Sequence, residues 1–386
     1  MTTGTRTALV DKFSYPLDIG MPDTDIKATK AALRQFTLHR LHAYGIEIGD
    51  GLRLMELAAE NNSWSRSATS LADQILARAE DPELPKTVQG QAALFARASA
   101  LQRISQVMDV ENTPERRATY LAAADNFTRA RAHDSRYEHV VIDTAGGPVT
   151  AWVITPNTAG PHPVALVHGG VDGWSMDWEG TALPLVEEGF LTVILDGPGQ
   201  GETRFVYEHY LTPDWLDSYK QVCEYLLIRA AGMPVTAVGN SMAGALVILI
   251  ASKYPIFAAV CSNGPVISMA STLVRHSYAK KLSTFCGTNP PDKQVRAVFE
   301  SMELSVDRIQ LTCPYLLLQG DSDPMVSLAD GERLLKQVPA ADKQMALFER
   351  GEHVINRYPA DKHHITRTWM RDRVDRALLA ASTPRM

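Results

Sequence analysis

The sequence has few cysteines, little excess charge and few recognisable ligand motifs, and each shortage excludes a class of protein. Its four cysteines are scattered without a paired spacing, which argues against a disulfide framework and a cysteine zinc site. It contains no HExxH motif and no cluster of Asp and His at ligand spacing, so we expect neither a metal ion nor a cofactor. The formal net charge of −6 and the pI of about 6.0 argue against a nucleic-acid partner.

Long apolar runs are also missing. The longest, Met242–Ala251, is too short to cross a bilayer, so we expect no membrane partner. Met1–Gly20 lacks the basic start and apolar core of a secretory signal, and we expect a cytoplasmic protein. The 386 residues, 45% of them hydrophobic and 21% charged, suffice for one large domain or two ordinary ones.

Residues 1–136 are predicted to form an N-terminal helical domain. Apolar residues recur there at three- and four-residue spacing, which predicts helices at 26–42, 52–58, 68–79 and 88–107. Thr113 and Pro114 have the features of a helix start, with the threonine as cap and the proline in the first turn. That helix should continue to about Ala132.

Residues 137–386 alternate between strand and helix patterns, which predicts an α/β fold with a mostly parallel sheet covered on both faces. Strands are predicted at 139–144, 149–154, 163–168, 191–195, 235–238, 258–262, 315–319 and 345–348, and helices at 177–189, 214–231, 242–253 and 365–379. The first two strands should form a hairpin. The stretch 264–308 interrupts the alternation and is predicted to be a helical insertion at the carboxyl edge of the sheet, where ligands bind in such folds.

A serine between small residues is the most informative motif. Ser241 lies between a predicted strand and the apolar helix that starts at Met242. Strand and helix nearly touch at such a turn, so small residues are needed on both sides, here Gly239 and Ala243. The turn exposes the serine hydroxyl and makes it a candidate nucleophile. Because small residues flank serines by chance as well, the motif requires further partners.

Those partners follow at the ends of later predicted strands. Asp323 stands in the turn after strand 315–319, and His353 lies in a glycine-containing loop after strand 345–348. Serine, acid and histidine in this order predict a triad in which His353 is the base and Asp323 orients it. Asp321 is the rival acid, and the alternative for Asp323 is a turn aspartate before proline. His353 could instead be a surface histidine.

An oxyanion hole is expected beside the serine, because negative charge develops on a carbonyl oxygen under attack. One donor should be the backbone N–H of Met242. The other should come from the glycine-rich loop after strand 163–168, with Gly170 as first choice and Val171 as rival. Val171, Trp174 and Trp178 are candidate substrate-binding residues, although the tryptophans could equally be buried packing.

A second glycine-rich loop, 196–202, contains a proline and no lysine, which excludes a P-loop. It is predicted to be a structural turn at the pocket floor. Together the motifs resemble the α/β-hydrolase branch that includes 2,6-dihydroxypseudooxynicotine hydrolase and fungal hydrolases that shorten polyketides. The segments that carry the resemblance are His168–Gly170, Asp196–Glu202, Gly239–Gly244, Gly320–Asp323 and His353–Asn356.

This resemblance implies an α/β-hydrolase fold over about 138–380, a helical domain capping the active site, and a triad of Ser241, Asp323 and His353. It also implies cleavage of an ester or of a carbon–carbon bond next to a carbonyl, and a homodimer. One departure is Ala243, where the branch often has glycine.

Our main hypothesis is a serine hydrolase acting on a mid-sized metabolite, such as a polyketide-like or aromatic compound. The alternative uses the same triad for acyl transfer or carboxylate elimination in natural-product biosynthesis. A third hypothesis is a hydrolase fold that serves as a binding module without catalysis.

Overall fold

An eight-stranded sheet forms the centre of the protein in a computed structural model, which describes residues 26–84 and 86–382. The strand order is β1-β2-β4-β3-β5-β6-β7-β8. Strands β1, β2 and β4 pair antiparallel, and the pairs from β4 through β3 to β8 are parallel. The strands are β1 Tyr137–Ile142, β2 Val149–Ile154, β3 Val164–His168, β4 Leu191–Asp196, β5 Val235–Asn240, β6 Phe257–Asn263, β7 Tyr315–Gly320 and β8 Lys343–Phe348. The predicted α/β class and mostly parallel sheet are confirmed.

Six helices precede the sheet, and eight more lie between its strands or after it in the described residues. The first six are α1 Ile26–Gln35, α2 Leu38–Ala43, α3 Ile48–Ala59, α4 Trp64–Glu80, α5 Val88–Ser105 and α6 Pro114–Arg131. The others are α7 Glu179–Glu187, α8 Gly201–Phe205, α9 Tyr219–Ala230, α10 Met242–Lys253, α11 His276–Ser283, α12 Asp292–Ser301, α13 Leu328–Gln337 and α14 Pro359–Ser382. Short 3₁₀ turns cover 175–178, 215–218, 270–274 and 353–355.

The strand order places two loops side by side. The chain runs from β3 outward to β4 and then crosses back to β5 on the other side of β3. Residue His168 at the end of β3 is therefore in register with Gly239 near the end of β5. The loop after β3 and the turn after β5 meet at this switch point, which is where open parallel sheets bind ligands.

Each face of the sheet packs into its own hydrophobic cluster, because alternate residues of a strand point to opposite faces. One cluster joins α9, α10 and α12 to side chains such as Leu166 and Leu317. The other joins α7 and α14 to side chains such as Val167 and Leu318, and it extends without interruption into α1–α6. The amino-terminal helices therefore share one apolar core with the sheet.

A buried ion pair also connects these helices to the sheet. Arg103 of α5 donates from Nε to Asp177 Oδ1 at 2.6 Å, from Nη1 to Ser99 and from Nη2 to the carbonyl of Tyr44. Asp177 in turn accepts from the backbone N–H of Trp174. Both charged side chains are about 5% exposed, so the pair lies inside the apolar contact between α5 and the segment after β3.

Several predicted helices differ from the structure, and the helix predicted at 177–189 is a 3₁₀ turn at Ser175–Trp178 followed by α7. The helix predicted at 26–42 is two helices, because Thr37 is extended and caps the start of α2 by accepting from the N–H of Arg40. The helix predicted at 214–231 begins as a 3₁₀ turn at Trp215–Ser218 and becomes α-helical at Tyr219. The predicted cap at Thr113 is found, accepting from the N–H of Arg116. No helix in the described ranges is long and apolar enough to cross a membrane.

Residues 1–25 of the predicted N-terminal domain lie outside the described residues. The stretch predicted as an insertion carries α11, α12 and the 3₁₀ turn at Ala270–Val274. Helix α13 follows the turn that contains Asp323 and was not among the predicted elements.

Candidate active site

Ser241 lies on a strained turn between β5 and α10. Its backbone has φ 57° and ψ −120°, a conformation that non-glycine residues rarely adopt. Its N–H donates to the carbonyl of Asn263 at the end of β6, which holds the turn against the sheet. A Cβ at Gly239 would lie 2.1 Å from the carbonyl oxygen of Ala243. Glycine is therefore required there, while Ala243 is tolerated because its backbone makes the contact.

The structure brings Ser241, His353 and Asp323 into one chain of hydrogen bonds. His353 Nε2 is 2.8 Å from Ser241 Oγ, and His353 Nδ1 is 2.8 Å from Asp323 Oδ2. With the proton on Nδ1, the imidazole donates to the carboxylate and accepts from the serine hydroxyl. These are the contacts that a general base and its orienting acid require.

Asp323, and not its rival Asp321, contacts the histidine. The side chain of Asp323 is fully buried, and its Oδ1 accepts from the backbone N–H groups of Met325 and Val326. Its Oδ2 is left for the imidazole. Asp321 is exposed and accepts from the hydroxyl of Ser322. The turn after β7 therefore satisfies Asp323 Oδ1 as a hydrogen-bond acceptor and leaves Oδ2 facing the imidazole.

The histidine loop is anchored through one carbonyl. The oxygen of Val354 accepts from Asn263 Nδ2 at 3.0 Å and from Lys362 Nζ at 3.1 Å. Val354 has φ 57°, so the loop departs from regular geometry directly after His353. Burial lowers the pKa of Lys362 to about 8. Two buried donors therefore fix the backbone next to the imidazole.

The loop after β3 lies against the serine, with Gly170 closest. A Cβ at Gly170 would lie 2.8 Å from Ser241 Cβ, so a larger residue would displace the nucleophile. Gln200 Nε2 donates to the carbonyls of both Gly169 and Gly170, at 3.0 and 2.7 Å. Since N–H and C=O point in opposite directions across a trans peptide, the N–H groups of Gly170 and Val171 both point away from Gln200.

Met242 is the first residue of α10, so its N–H belongs to the unpaired donors at a helix N-terminus. The helix dipole favours negative charge at that end. Met242, Gly170 and Val171 thus provide the candidate donors beside Ser241. Gly170 and Val171 stay alternatives for the second donor.

A cavity of about 460 Å³ opens beside Ser241 and His353. Of the predicted substrate-binding residues, Val171 and Trp178 line it. Trp178 Nε1 is buried and has no hydrogen-bond partner in the described residues. Trp174 lies elsewhere, in the wall of a small neighbouring cavity, where it packs edge-on against Tyr120 at 4.7 Å.

A cluster of charges closes one side of the larger cavity. Asp172 pairs with Arg40 of α2 at 2.8 Å and with Lys281 of α11. Gln35 also donates to Asp172. Burial alone would raise the pKa of Asp172, but the charges of Lys281 and Arg40 hold it well below its usual value. The cluster, Arg40–Asp172–Lys281, joins the amino-terminal helices, the loop after β3 and the segment between β6 and β7.

Sequence reasoning missed Gln200, Asn263, Lys362 and Asp172 as site residues. Gln200 lies in the loop assigned to the pocket floor, and its spacing from the serine carries no signal. Asp172 is adjacent to the predicted oxyanion loop, but its partners are 132 and 109 residues away in the sequence. Only the tertiary fold brings these residues together.

Comparison with known proteins gives one family match and several similar proteins. The family described as serine aminopeptidase, S33, matches residues 162–308, which is less than half of the chain. A 2,6-dihydropseudooxynicotine hydrolase from Paenarthrobacter nicotinovorans is 25% identical over 224 residues, which are 55% of this chain and 58% of that protein. The alignment thus spans little more than half of its length.

Two solved structures have a similar fold. The 2,6-dihydroxy-pseudo-oxynicotine hydrolase structure superposes with a TM-score of 0.76 at 21% identity, covering 88% of this chain and 96% of that one. AbyA5 has a TM-score of 0.62 at 18% identity, covering 82% and 93%. The first match includes the amino-terminal helices as well as the sheet, because 88% of the chain cannot be covered by residues 137–386 alone. The chain therefore has the α/β-hydrolase fold and is similar in sequence and structure to 2,6-dihydroxypseudooxynicotine hydrolase.

Proposed function

We propose that the protein is a serine hydrolase that cleaves an ester, or a carbon–carbon bond next to a carbonyl, in a mid-sized small molecule. The observation that carries the proposal is the unbroken chain of hydrogen bonds from Ser241 through His353 to Asp323, with both contacts at 2.8 Å. It opens directly onto a cavity of about 460 Å³, a volume in the usual range of small-molecule sites.

The reaction follows the roles that the geometry allows. His353 Nε2 takes the proton of Ser241, and the serine oxygen attacks the substrate carbonyl carbon. The N–H of Met242 and that of Gly170 or Val171 hold the developing oxyanion. The bond to the leaving alkoxide or enolate breaks, and His353 returns its proton to that group. Water, deprotonated by His353, then releases the acid from the acyl-serine.

The substrate is proposed to carry an aromatic or other apolar body and a polar or anionic group. Tyr278, Met325 and Trp178 supply apolar walls. Two exposed arginines, Arg34 and Arg275, line the same cavity without an ion pair in the described residues. Their charge favours a substrate with an acidic group.

Replacing Ser241 with alanine tests the mechanism. Turnover of a panel of aryl esters should fall by about 10⁴- to 10⁶-fold, because the triad acts as a unit and the remaining groups give only residual catalysis. Ser283→Ala, which removes a hydroxyl that is bonded to the carbonyl of Lys280 and is not part of the cavity lining, is the control and should keep wild-type turnover. Wild-type rates in Ser241→Ala would refute a nucleophilic serine.

Reaction in ¹⁸O-labelled water separates hydrolysis from the alternative chemistries. An acyl-serine opened by water places the label in the released acid. Acyl transfer gives the acyl group to another acceptor, and carboxylate elimination breaks the C–O bond without adding water. An unlabelled acid product would therefore assign the triad to elimination.

A further inference from the structure

Two buried arginines without a carboxylate partner lie behind the loop after β3. Arg116 of α6 is 6% exposed and Arg204 of α8 is 3% exposed. Both guanidinium groups lie over the ring of Phe205, with Cζ to centroid distances of 5.5 and 4.5 Å. Arg204 Nε and Nη2 are buried without a hydrogen-bond partner, and Nη1 reaches only the carbonyl of Gly199, at 3.4 Å.

The surrounding charges do not balance. Across the described ranges no carboxylate oxygen lies within 4.0 Å of either guanidinium, since neither arginine forms a salt bridge. The buried carboxylate of this region, Asp172, is already paired with Arg40 and Lys281. Arg116 and Arg204 therefore have no directly paired carboxylate, and burial of their two positive charges is disfavoured unless a further negative charge is present.

Desolvation is evident at both arginines. Burial lowers the pKa of Arg116 to about 10. Burial, and after it the neighbouring charge of Arg116, lower the pKa of Arg204 well below that of a free guanidinium. Asp109 lies close enough to favour the charged form of Arg116, but its own side chain is exposed and does not reach Arg204.

Arg116 and Arg204 both line a small cavity. Its walls include Arg116, Arg204, Lys281 and Gln200, together with the backbone of Asp172–Trp174. The cavity is small and has room for one occupant such as a water molecule or a halide ion.

We propose that this cavity binds a single small monovalent inorganic anion, chloride in solution. Arg204 Nε and Nη2 donate to the anion, and Arg116 and Lys281 add their charge. A water molecule could accept the same hydrogen bonds but would leave the cations uncompensated. The bound anion connects the loop after β3, which carries Val171, to helices α6 and α8. It therefore stabilises the fold around the site without entering the reaction.

Thermal unfolding of the full-length protein tests the proposal without any assay of catalysis. Chloride should raise the Tm at constant ionic strength, with gluconate as the replacement anion, because a ligand that binds only the native state stabilises it by mass action. Crystals soaked in bromide should show an anomalous peak within hydrogen-bond distance of Arg204 Nε and Nη2. A Tm independent of chloride, together with a water molecule in the cavity, would overturn the proposal.

Substitution of the arginine tests the assignment to this cavity. Arg204→Gln should abolish the chloride-dependent rise of Tm, whereas Arg296→Gln, on an exposed part of α12, should keep it. An equal chloride response in Arg204→Gln would place the anion elsewhere and refute the site. A bromide peak without any chloride effect on wild-type Tm would mean an adventitious ion only, and would refute it as well. If Arg204→Gln does not fold, the chloride titration of wild-type Tm and the bromide map still decide whether the cavity binds an anion.

Discussion

Gln200 sets the direction of two consecutive peptide groups in the loop after β3. Its amide donates to the carbonyls of Gly169 and Gly170 while its oxygen accepts from the N–H of Gly197. No hydrogen bond joins this side chain to Ser241 in the described part of the chain. Gln200 acts by turning the N–H groups of Gly170 and Val171 away from itself, and the proposed oxyanion hole depends on one of them.

Gln200→Leu should therefore lower kcat more than it changes KM. We expect a loss of about 10²-fold in kcat, the size of effect seen when one oxyanion donor is lost. Gln310→Leu, which removes an exposed glutamine, is the control and should leave both constants unchanged. Steady-state kinetics with the aryl esters measures how the loss divides between kcat and KM. A rise in KM with unchanged kcat would assign Gln200 to substrate binding instead.

His168 links stability to pH. It is fully buried at the end of β3, its Nε2 is 2.5 Å from the hydroxyl of Tyr219, and burial lowers its pKa from 6.5 to about 3. Between those pH values the unfolded chain binds a proton that the folded chain does not. The stability from this group is thus present above pH 6.5 and is lost as the pH falls toward 3, by about 1.4 kcal/mol per pH unit.

Urea unfolding at a series of pH values measures this dependence. His168→Asn should reduce the slope of unfolding free energy against pH in that window, whereas His42→Asn, at an exposed position on α2, should retain the wild-type slope. Equal slopes in wild type and His168→Asn would show that the buried imidazole does not control acid stability.

The roles of individual site residues can be predicted where they depend on the local sequence alone. Ser241, Asp323 and His353 each stand just past a predicted strand, so their order and positions in the sequence indicate a common edge of the sheet. Arg204 and Asp172 gave no such signal, because an unpaired or multiply paired buried charge is defined by residues distant in the chain. Hydrogen-bonded turns can be predicted from local sequence patterns. The charges that surround a buried side chain cannot, because they are set by the tertiary fold.

At the scale of elements, helix α5 is attached to the core through Arg103. Replacing it with methionine would leave Asp177 buried without its cation. We expect the free energy of unfolding to fall by about 3–5 kcal/mol, the range for breaking one partner of a buried pair. Denaturant unfolding measures this change.

Arg333→Met provides the matched control, because Arg333 pairs with Asp330 on the exposed side of α13. Loss of an exposed pair should change stability by less than about 1 kcal/mol. If the two variants were equally stable, the contact between α5 and the segment after β3 would not depend on the ion pair.

The boundaries of elements were predicted well where caps mark them and poorly elsewhere. Thr113 and Pro114 located the start of α6. The break between α1 and α2 was missed because apolar periodicity continues through Phe36 and Thr37. Helix α13 was missed although Ser327 accepts from the N–H of Asp330, a capping contact with a recognisable sequence signature.

At the scale of the whole molecule, the amino-terminal helices and the sheet unfold together if they share one core. A chain of residues 137–386 would expose the apolar side chains that now face α1–α6, among them Trp152 and Trp178. We expect this shortened chain to aggregate or to lack a cooperative unfolding transition. Circular dichroism during heating measures this, with a chain lacking only residues 1–25 as the control. A cooperative transition near the wild-type Tm would make the helices a separate domain.

The Arg40–Asp172–Lys281 cluster has a consequence for how such a protein can change over evolutionary time. Its three members come from segments that are distant in the sequence, and the negative charge of Asp172 is paired with the positive charges of both Arg40 and Lys281. In a lineage that replaced Asp172 alone, the positive charges of Arg40 and Lys281 would lose their carboxylate partner at the edge of the cavity. We therefore expect substitutions at the three positions to occur together, so that this side of the cavity changes as a linked set.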